Sequence, residues 1–303
     1  MTRWTIPNFH TVLDRQTGLV WAKDAALSEF PLTWAEAFSF IDELNRSELL
    51  PHDDWRLPNR REMFSLVSQN AKNPSLPADH PFDNVFTGYY WTSTTCARLP
   101  DQAWYVHLGG ARVFKGMKYG SYMIWPVRTE GIGPPSVWPT GQRYCHDTTG
   151  RPVDCTGTGQ DAEFQSGQPL PSSRFRPQSG TICDHLTGLT WLQEADWHGR
   201  PLDWHAARAI IDKINRDKVG GCDDWRLPAI RELESLTDMS RHSPALPTDH
   251  PFVNVRDFYW SATTSRYDTT YAWVLYFRDG AVGVGHKPRP EFHLWPVRDA
   301  AES

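Results

Sequence analysis

The sequence predicts an α+β chain made of two tandem copies of one unit, each with two helices and small antiparallel sheets. Three observations carry this. The chain aligns with itself at a shift of 170 residues, each copy holds two helix-start signals, and each ends in period-two runs broken by glycine turns.

The repeat is read directly. Asp14, Thr17, Gly18, Leu19 and Trp21 fall on Asp184, Thr187, Gly188, Leu189 and Trp191. The run Asp53-Asp54-Trp55-Arg56-Leu57-Pro58 returns as Asp223-Asp224-Trp225-Arg226-Leu227-Pro228, with Arg61-Glu62 and Arg231-Glu232 behind it. Asp79-His80-Pro81-Phe82 returns as Asp249-His250-Pro251-Phe252. The register slips by one at Tyr90-Trp91 against Tyr259-Trp260 and recovers at Trp125-Pro126-Val127-Arg128 and Trp295-Pro296-Val297-Arg298. Of 15 tryptophans, twelve form matched pairs (21/191, 34/204, 55/225, 91/260, 104/273, 125/295), which assigns them to the shared fold before any ligand. The division is 1–130, a Gly/Pro-rich linker over 131–180, and 181–303.

The first helix of copy one starts at Thr33, where Thr33-Trp34-Ala35-Glu36 is a capping box ahead of apolar Ala37, Phe38, Ile41 and Leu44. Its counterpart starts at Asp203. Asn59 with Glu62 caps the second helix, but copy two has Ala229 there and a weaker start is predicted. Later, Trp104, Val106 and Leu108 alternate with Tyr105 and His107, and Trp273, Leu275 and Phe277 with Val274, Tyr276 and Arg278. Gly109-Gly110 and Asp279-Gly280 follow, so hairpins are expected.

Five cysteines are present. Cys145 and Cys155 bracket a short polar loop in the linker and are expected to form a disulfide, worth about 2 to 3 kcal/mol on the chain-entropy model. Cys183 and Cys222 occur only in copy two, opposite Leu13 and His52, and either pair or stay free. Cys96 is matched by Ser265, which speaks against a nucleophile.

A net charge of −5, with Lys and Arg scattered, argues against nucleic acid as a partner. No apolar run approaches the ~20 residues of a membrane span, so no membrane insertion is expected. Residues 1 to 30 lack a signal-peptide pattern. Neither a Gly-rich phosphate loop nor a His-Glu-x-x-His motif occurs, and the chain is expected not to be an enzyme.

Binding residues should lie where the copies differ, on loops in a shared frame. Residues 98–128 carry five basic side chains against one acidic, and 266–298 carry five against three. Basic side chains interleaved with rings suit an anionic sugar, by charge-assisted hydrogen bonds and stacking. The candidate ligand-binding set is Arg98, Tyr105, His107, Arg112, Lys115, Lys118 and Tyr119, with Arg266, Tyr267, Tyr271, Tyr276, Arg278, His286, Lys287 and Arg289. Arg56 and Arg226 are assigned to the fold, with Glu62, Glu232 or a neighbouring Asp as partner. Asp79-His80 and Asp249-His250 read as turns before proline rather than metal ligands. No cofactor is called for; a structural calcium is the metal that loop carboxylate and amide oxygens would suit.

Thr-Gly-Leu-x-Trp, the helix opening at Trp34 or Trp204, Asp-Trp-Arg-Leu-Pro with a Glu four positions after the Pro, Tyr-Trp-x-x-Thr-Thr, Ala-Trp before a strand and the terminal Val-Arg recur in order. Together they resemble the Legionella collagen-like protein C-terminal domain family. The linker's Thr-Gly-Gln, Cys-x9-Cys and Gly-Thr-Gly-Gln-Asp pattern looks like what precedes such domains in bacterial surface and exported proteins. The resemblance implies two C-type lectin-like domains of the formylglycine-generating-enzyme type and an extracellular, cell-surface or periplasmic location. It also implies a non-enzymatic binding or adhesion role toward a glycan or surface protein. The alternative is a structural subunit of a surface or secreted assembly, with self-association.

Overall fold

Repeat one opens with β1 (Trp4–Asn8), β2 (Thr11–Asp14) and β3 (Leu19–Ala22), which are joined by β7 (Val127–Thr129) into an antiparallel sheet in the order β1-β2-β3-β7. This computed structural model describes residues 2–131 and 133–300. The Asp-x-x-Thr-Gly motif is the β2–β3 turn. Gly18 holds φ at +71°, a conformation glycine adopts without side-chain strain, and donates to Asp14 O at 2.8 Å. The Asp14 carboxylate takes an Arg3 fork at 3.0 and 2.6 Å, and Arg3 also reaches Ser65 O.

Between β3 and β7 lie α1 (Trp34–Arg46), α2 (Arg60–Leu66) and a three-stranded antiparallel meander, β4 (Tyr89–Thr95), β5 (Gln102–His107) and β6 (Arg112–Met117). Both capping boxes of repeat one form. Helix α1 buries Trp34, Ala37, Ile41 and Leu44, whereas Phe38 lies at the margin of that face.

The linker is short on regular structure: β8 (Cys145–His146) pairs with β9 (Pro152–Val153), and α3 (Asp161–Phe164) is one turn. Cys145 and Cys155 are disulfide-bonded, with Cα atoms 5.2 Å apart. Far from standing alone, this segment packs on repeat one. The chain clusters into two compact units, Met1–Pro169 and Leu170–Ser303.

Repeat two reproduces the plan. It contains β10 (Phe175–Gln178), β11 (Thr181–Asp184), β12 (Leu189–Leu192), α4 (Trp204–Arg216), α5 (Ile230–Ser235), β13 (Phe258–Thr264), β14 (Tyr271–Tyr276), β15 (Ala281–His286) and β16 (Val297–Asp299). Its first sheet runs β10-β11-β12-β16, and β13, β14 and β15 form the meander. Arg174 repeats the Arg3 fork on Asp184 at 2.9 and 2.8 Å. At α5, Ala229 supplies no side-chain cap. Only the return bond survives, from Ala229 N–H to Glu232 at 2.7 Å, and α5 is one residue shorter than α2.

All twelve paired tryptophans are buried. Each removes about 150–250 Å² from water, or roughly 4–6 kcal/mol gross at ~25 cal/mol/Å², so they dominate both cores. Three pairs also donate their indole N–H to the same carbonyl position in each copy. Trp34 and Trp204 bond Thr92 O and Ser261 O, at 2.9 and 2.8 Å. Trp91 and Trp260 bond Leu32 O and Leu202 O, while Trp125 and Trp295 bond Ala22 O and Leu192 O. Trp55 and Trp225 instead bond carbonyls at different positions of the segment after the helix, Pro51 O and Val219 O, each at 2.9 Å.

Arg56 pairs in a fork with Glu62 at 2.6 and 2.6 Å, and Arg226 with Glu232 at 2.7 and 2.8 Å, the structural role expected of both arginines. His80 and His250 follow turns closed onto Pro77 O and Pro247 O and stack on Phe82 and Phe252. Cys183 and Cys222 are free and half-buried, so they do not pair with each other. Among the described residues no helix is long and apolar enough to cross a membrane, and no three His, Cys, Asp or Glu cluster as metal ligands would.

Candidate functional site

The helix that follows the first sheet lies beside the Asp-Trp-Arg-Leu-Pro segment and the end of the meander's first strand. In both copies the wall between them is built from a tryptophan, an isoleucine, an arginine and two threonines in equivalent positions. The two copies differ in what lies on it.

In repeat one the linker covers this wall. Gln142 reads the main chain of Thr95 as a strand would, accepting from Thr95 N–H at 2.7 Å and donating to Thr95 O at 2.9 Å. The Asp161 carboxylate receives the Thr94 and Thr140 hydroxyls at 2.7 and 2.6 Å. Ser166 bridges the Arg56–Glu62 pair, and the Asn59 amide donates to Ser166 O at 3.3 Å. Arg61 donates to Pro139 O at 2.6 Å. Phe164 lies 5.9 Å from the Arg56 guanidinium, and Gly159 sits so close to Phe38 that a Cβ would come within 2.8 Å of the ring. Burial drives the Asp161 pKa up to about 6, against the pull of its two hydroxyl donors.

Among the described residues no segment covers the wall of repeat two as the linker covers that of repeat one, although Asp299 takes the Arg226 guanidinium where Ser166 takes that of Arg56. Trp204, Arg208, Ile211, Asp212, Asn215, Trp225, Arg226, Leu227, Ala262 and Thr264 line an open groove of about 500 Å³. The Arg56 side chain is 9% exposed; that of Arg226 is 38% exposed and takes Asp299 at 2.8 Å as a second partner. Thr94 and Thr95 are buried, whereas Thr263 and Thr264 are half-buried. Arg208 stands where Phe38 does, 5.0 Å from the Trp204 ring. Lys287 approaches the same ring at 4.5 Å and donates to Thr264 Oγ1 and Thr269 O at 3.0 and 2.9 Å. Arg208 and Lys287 give the Trp204 end of the groove a positive character, whereas Arg226 is compensated by Glu232 and Asp299, and Asp212 adds a negative charge to the lining. Burial and the neighbouring Arg208 charge lower the Lys287 pKa.

The residues picked from sequence do not form one patch. In repeat one His107 and Arg112 lie opposite each other at one end of the β5–β6 hairpin, beside the Gly109-Gly110 turn. Tyr105 and His107 belong to a ring cluster with Tyr89 and Tyr122, with centroids 4.7 to 5.2 Å apart. Burial raises the Tyr105 pKa to about 12 and, with the Arg112 charge, lowers that of His107. Half-buried Arg98 and exposed Tyr119 are at the other end, about 17 Å away for a six-residue strand. Lys115 lies between, over the Trp104 and Phe114 rings.

Lys118 corrects the surface reading. It is fully buried, 3.9 Å from the Trp34 ring, and donates to His146 O and Asp147 O of the linker at 3.1 Å each. Burial pulls its pKa down to about 7. In repeat two Arg278 lies beyond the turn end of β14, and Tyr276 at that end of the strand. Tyr271 packs on His286 at 5.1 Å at the opposite end, near exposed Arg266 and Tyr267. Arg289 is exposed and faces Glu291 at 3.6 Å. Of the whole set, only Lys287 borders the groove.

Arg208, Thr263 and Thr264 escaped the sequence reading, and Arg226 was assigned to the fold alone. The substitutions Phe38/Arg208, Asn59/Ala229 and Arg60/Ile230 between the copies were the available signal.

The family model described as the Lcl C-terminal domain matches residues 10–128 and again residues 180–298. Comparison with curated proteins gives no match.

Proposed function

The chain belongs to the Lcl C-terminal domain family, present twice, and from that premise we propose that it is a non-enzymatic binding or adhesion module recognising a glycan or protein surface. Each repeat is assigned the C-type lectin-like fold in this reading. The chain would act outside the cytoplasm, at the cell surface or in the periplasm, where the Cys145–Cys155 disulfide would persist.

The supporting observation is the difference between the copies. One framework wall is sealed by the chain's own linker, and its duplicate is an open groove with Arg208 and Lys287 flanking Trp204. Concave sites with an aromatic floor and a few placed polar groups are the usual form of ligand sites. The basic end of the sequence-predicted set contributes Lys287; Tyr271 and His286 beside it would extend the contact rather than anchor it.

The test is an array of glycans and surface proteins probed with the intact chain, with and without calcium and at two salt concentrations. Saturable binding that falls at least tenfold in Arg208→Glu, and is unchanged in Arg112→Ala at the far hairpin end, is the expected result. Binding indifferent to Arg208→Glu would remove the groove from the proposal.

A further inference from the structure

We infer that the open groove of repeat two receives a loop of another polypeptide with the linker's own chemistry: a carboxylate for Thr263, a primary amide for the main chain of Thr264 and an aromatic ring for Arg226. This names a partner class for the groove and rests on the groove being a ligand site. The molecule supplies its own template, because repeat one shows which groups the shared wall accepts.

The receptor atoms are retained. In repeat one Thr94 accepts from Arg60 N–H at 2.9 Å, which leaves its hydroxyl proton for Asp161. In repeat two Thr263 accepts from Ile230 N–H at 3.1 Å in the same way, and its hydroxyl proton has no acceptor among the described residues. Thr264 sits where Thr95 offers an N–H and a C=O to the Gln142 amide, and no side-chain amide of the described residues faces it. The Arg226 guanidinium occupies the place of Arg56, over which Phe164 lies. A carboxylate at Thr263 would meet Arg226 much as Asp161 meets Arg56.

The changes between the walls set the partner's charge. Arg208 stands where Phe38 touches Gly159, so the incoming loop is expected to carry an acidic side chain, or none, at that point. Ala229 supplies no counterpart to the Asn59 amide that holds Ser166 O, so the loop gains nothing there. A polypeptide is favoured over a sugar because the template contact at Thr95 is a primary amide presenting its oxygen and an N–H side by side, a group that Gln and Asn side chains carry and the trans secondary amide of an acetamido sugar does not.

The experiment uses the full chain and a fluorescein-labelled synthetic peptide of residues 137–168 with Cys145–Cys155 closed, titrated by fluorescence anisotropy. Repeat one is already filled in cis, so the expected result is saturable binding of one peptide per chain. Affinity should fall about tenfold or more when the peptide carries Asp161→Asn or the chain carries Thr263→Val, the loss of one charge-assisted hydrogen bond. Arg208→Glu in the chain should also weaken it, and Arg112→Ala should not. No saturation at millimolar peptide, alongside groove-dependent binding of a glycan, would overturn this inference and leave the binding-module reading standing. Peptide binding unmoved by both Thr263→Val and Arg208→Glu would place the peptide elsewhere and overturn it as well.

Discussion

Lys118 and Lys287 occupy equivalent positions over Trp34 and Trp204, with the ammonium 3.9 and 4.5 Å from the ring. The first is fully buried and bonded to two linker carbonyls; the second is half-buried and satisfied within its own repeat by Thr264 and Thr269. Identical residues in one frame thus serve two ends: in repeat one the lysine fastens a covering segment, and in repeat two it edges an open groove. The difference shows that duplication conserved the wall and left its cover free to diverge. What a residue does here is set by the chain lying over it, not by its place in the repeat.

The comparison breaks most sharply at the arginine fork. Arg56→Ala leaves Glu62 buried without its ion partner and is expected to cost about 3–5 kcal/mol, because Glu62 is fully inaccessible. Arg226→Ala, in a half-open setting, should cost about 1 kcal/mol. Hydrogen exchange resolved by repeat, with denaturant unfolding of the intact chain, measures both; equal costs would contradict the asymmetric burial.

Cys145→Ser with Cys155→Ser comes next. The linker should lose about 2 to 3 kcal/mol of folded stability, and the Thr95 amide held by Gln142 should exchange faster. Repeat two should be unaffected, and a matching change there would mean that the clamp supports more than the linker's cover.

Thr94→Val removes a donor to a buried carboxylate and should loosen the linker by about 2 kcal/mol. Thr263→Val lacks that partner and loses only the bond from Ile230 N–H, so it should cost about 1 kcal/mol and leave the linker's hold on repeat one unchanged. Protease nicking of 137–168 under native conditions separates the two variants.

A finer test is pH. Asp161 has its pKa raised to about 6 in the docked linker, so its contribution is full below the free carboxyl value of 3.8 and is lost as pH rises through about 6. Lys118 has its pKa lowered to about 7, so its contribution is present above the free value of 10.5 and is lost as pH falls through about 7. The linker should therefore be held least tightly between about pH 6 and 7. Thr95 amide exchange, corrected for its intrinsic rate, should show that minimum in protection; a monotonic profile would mean that one of the two groups does not titrate with docking.

Much of the fold was legible because duplication marks it twice. The Thr33 and Asn59 caps, the glycine hairpins and the Arg56–Glu62 and Arg226–Glu232 pairs all stand at expected positions, since each rests on local spacing. Arg3 and Arg174, which fork onto Asp14 and Asp184, were missed because they precede the aligned blocks and pair across a β-hairpin. The groove was harder to see. Much of the linker's hold on repeat one comes through main-chain atoms, at Pro139, His146, Asp147 and Ser166, which leave no trace in residue identity. The loop residues were chosen for charge and ring content, and neither reveals that Lys118 is buried or that His107 and Tyr119 lie at opposite hairpin ends.

The docked linker also fixes how many times the chain can engage a partner at this wall. Two repeats suggest bivalence, in which a second contact becomes intramolecular and affinity multiplies through effective concentration. With Asp161, Gln142 and Ser166 seated in repeat one, the chain offers the wall once. On the proposed binding role, avidity at that wall would come from arraying many chains together, so the density of molecules rather than the number of repeats in each would govern the strength of attachment.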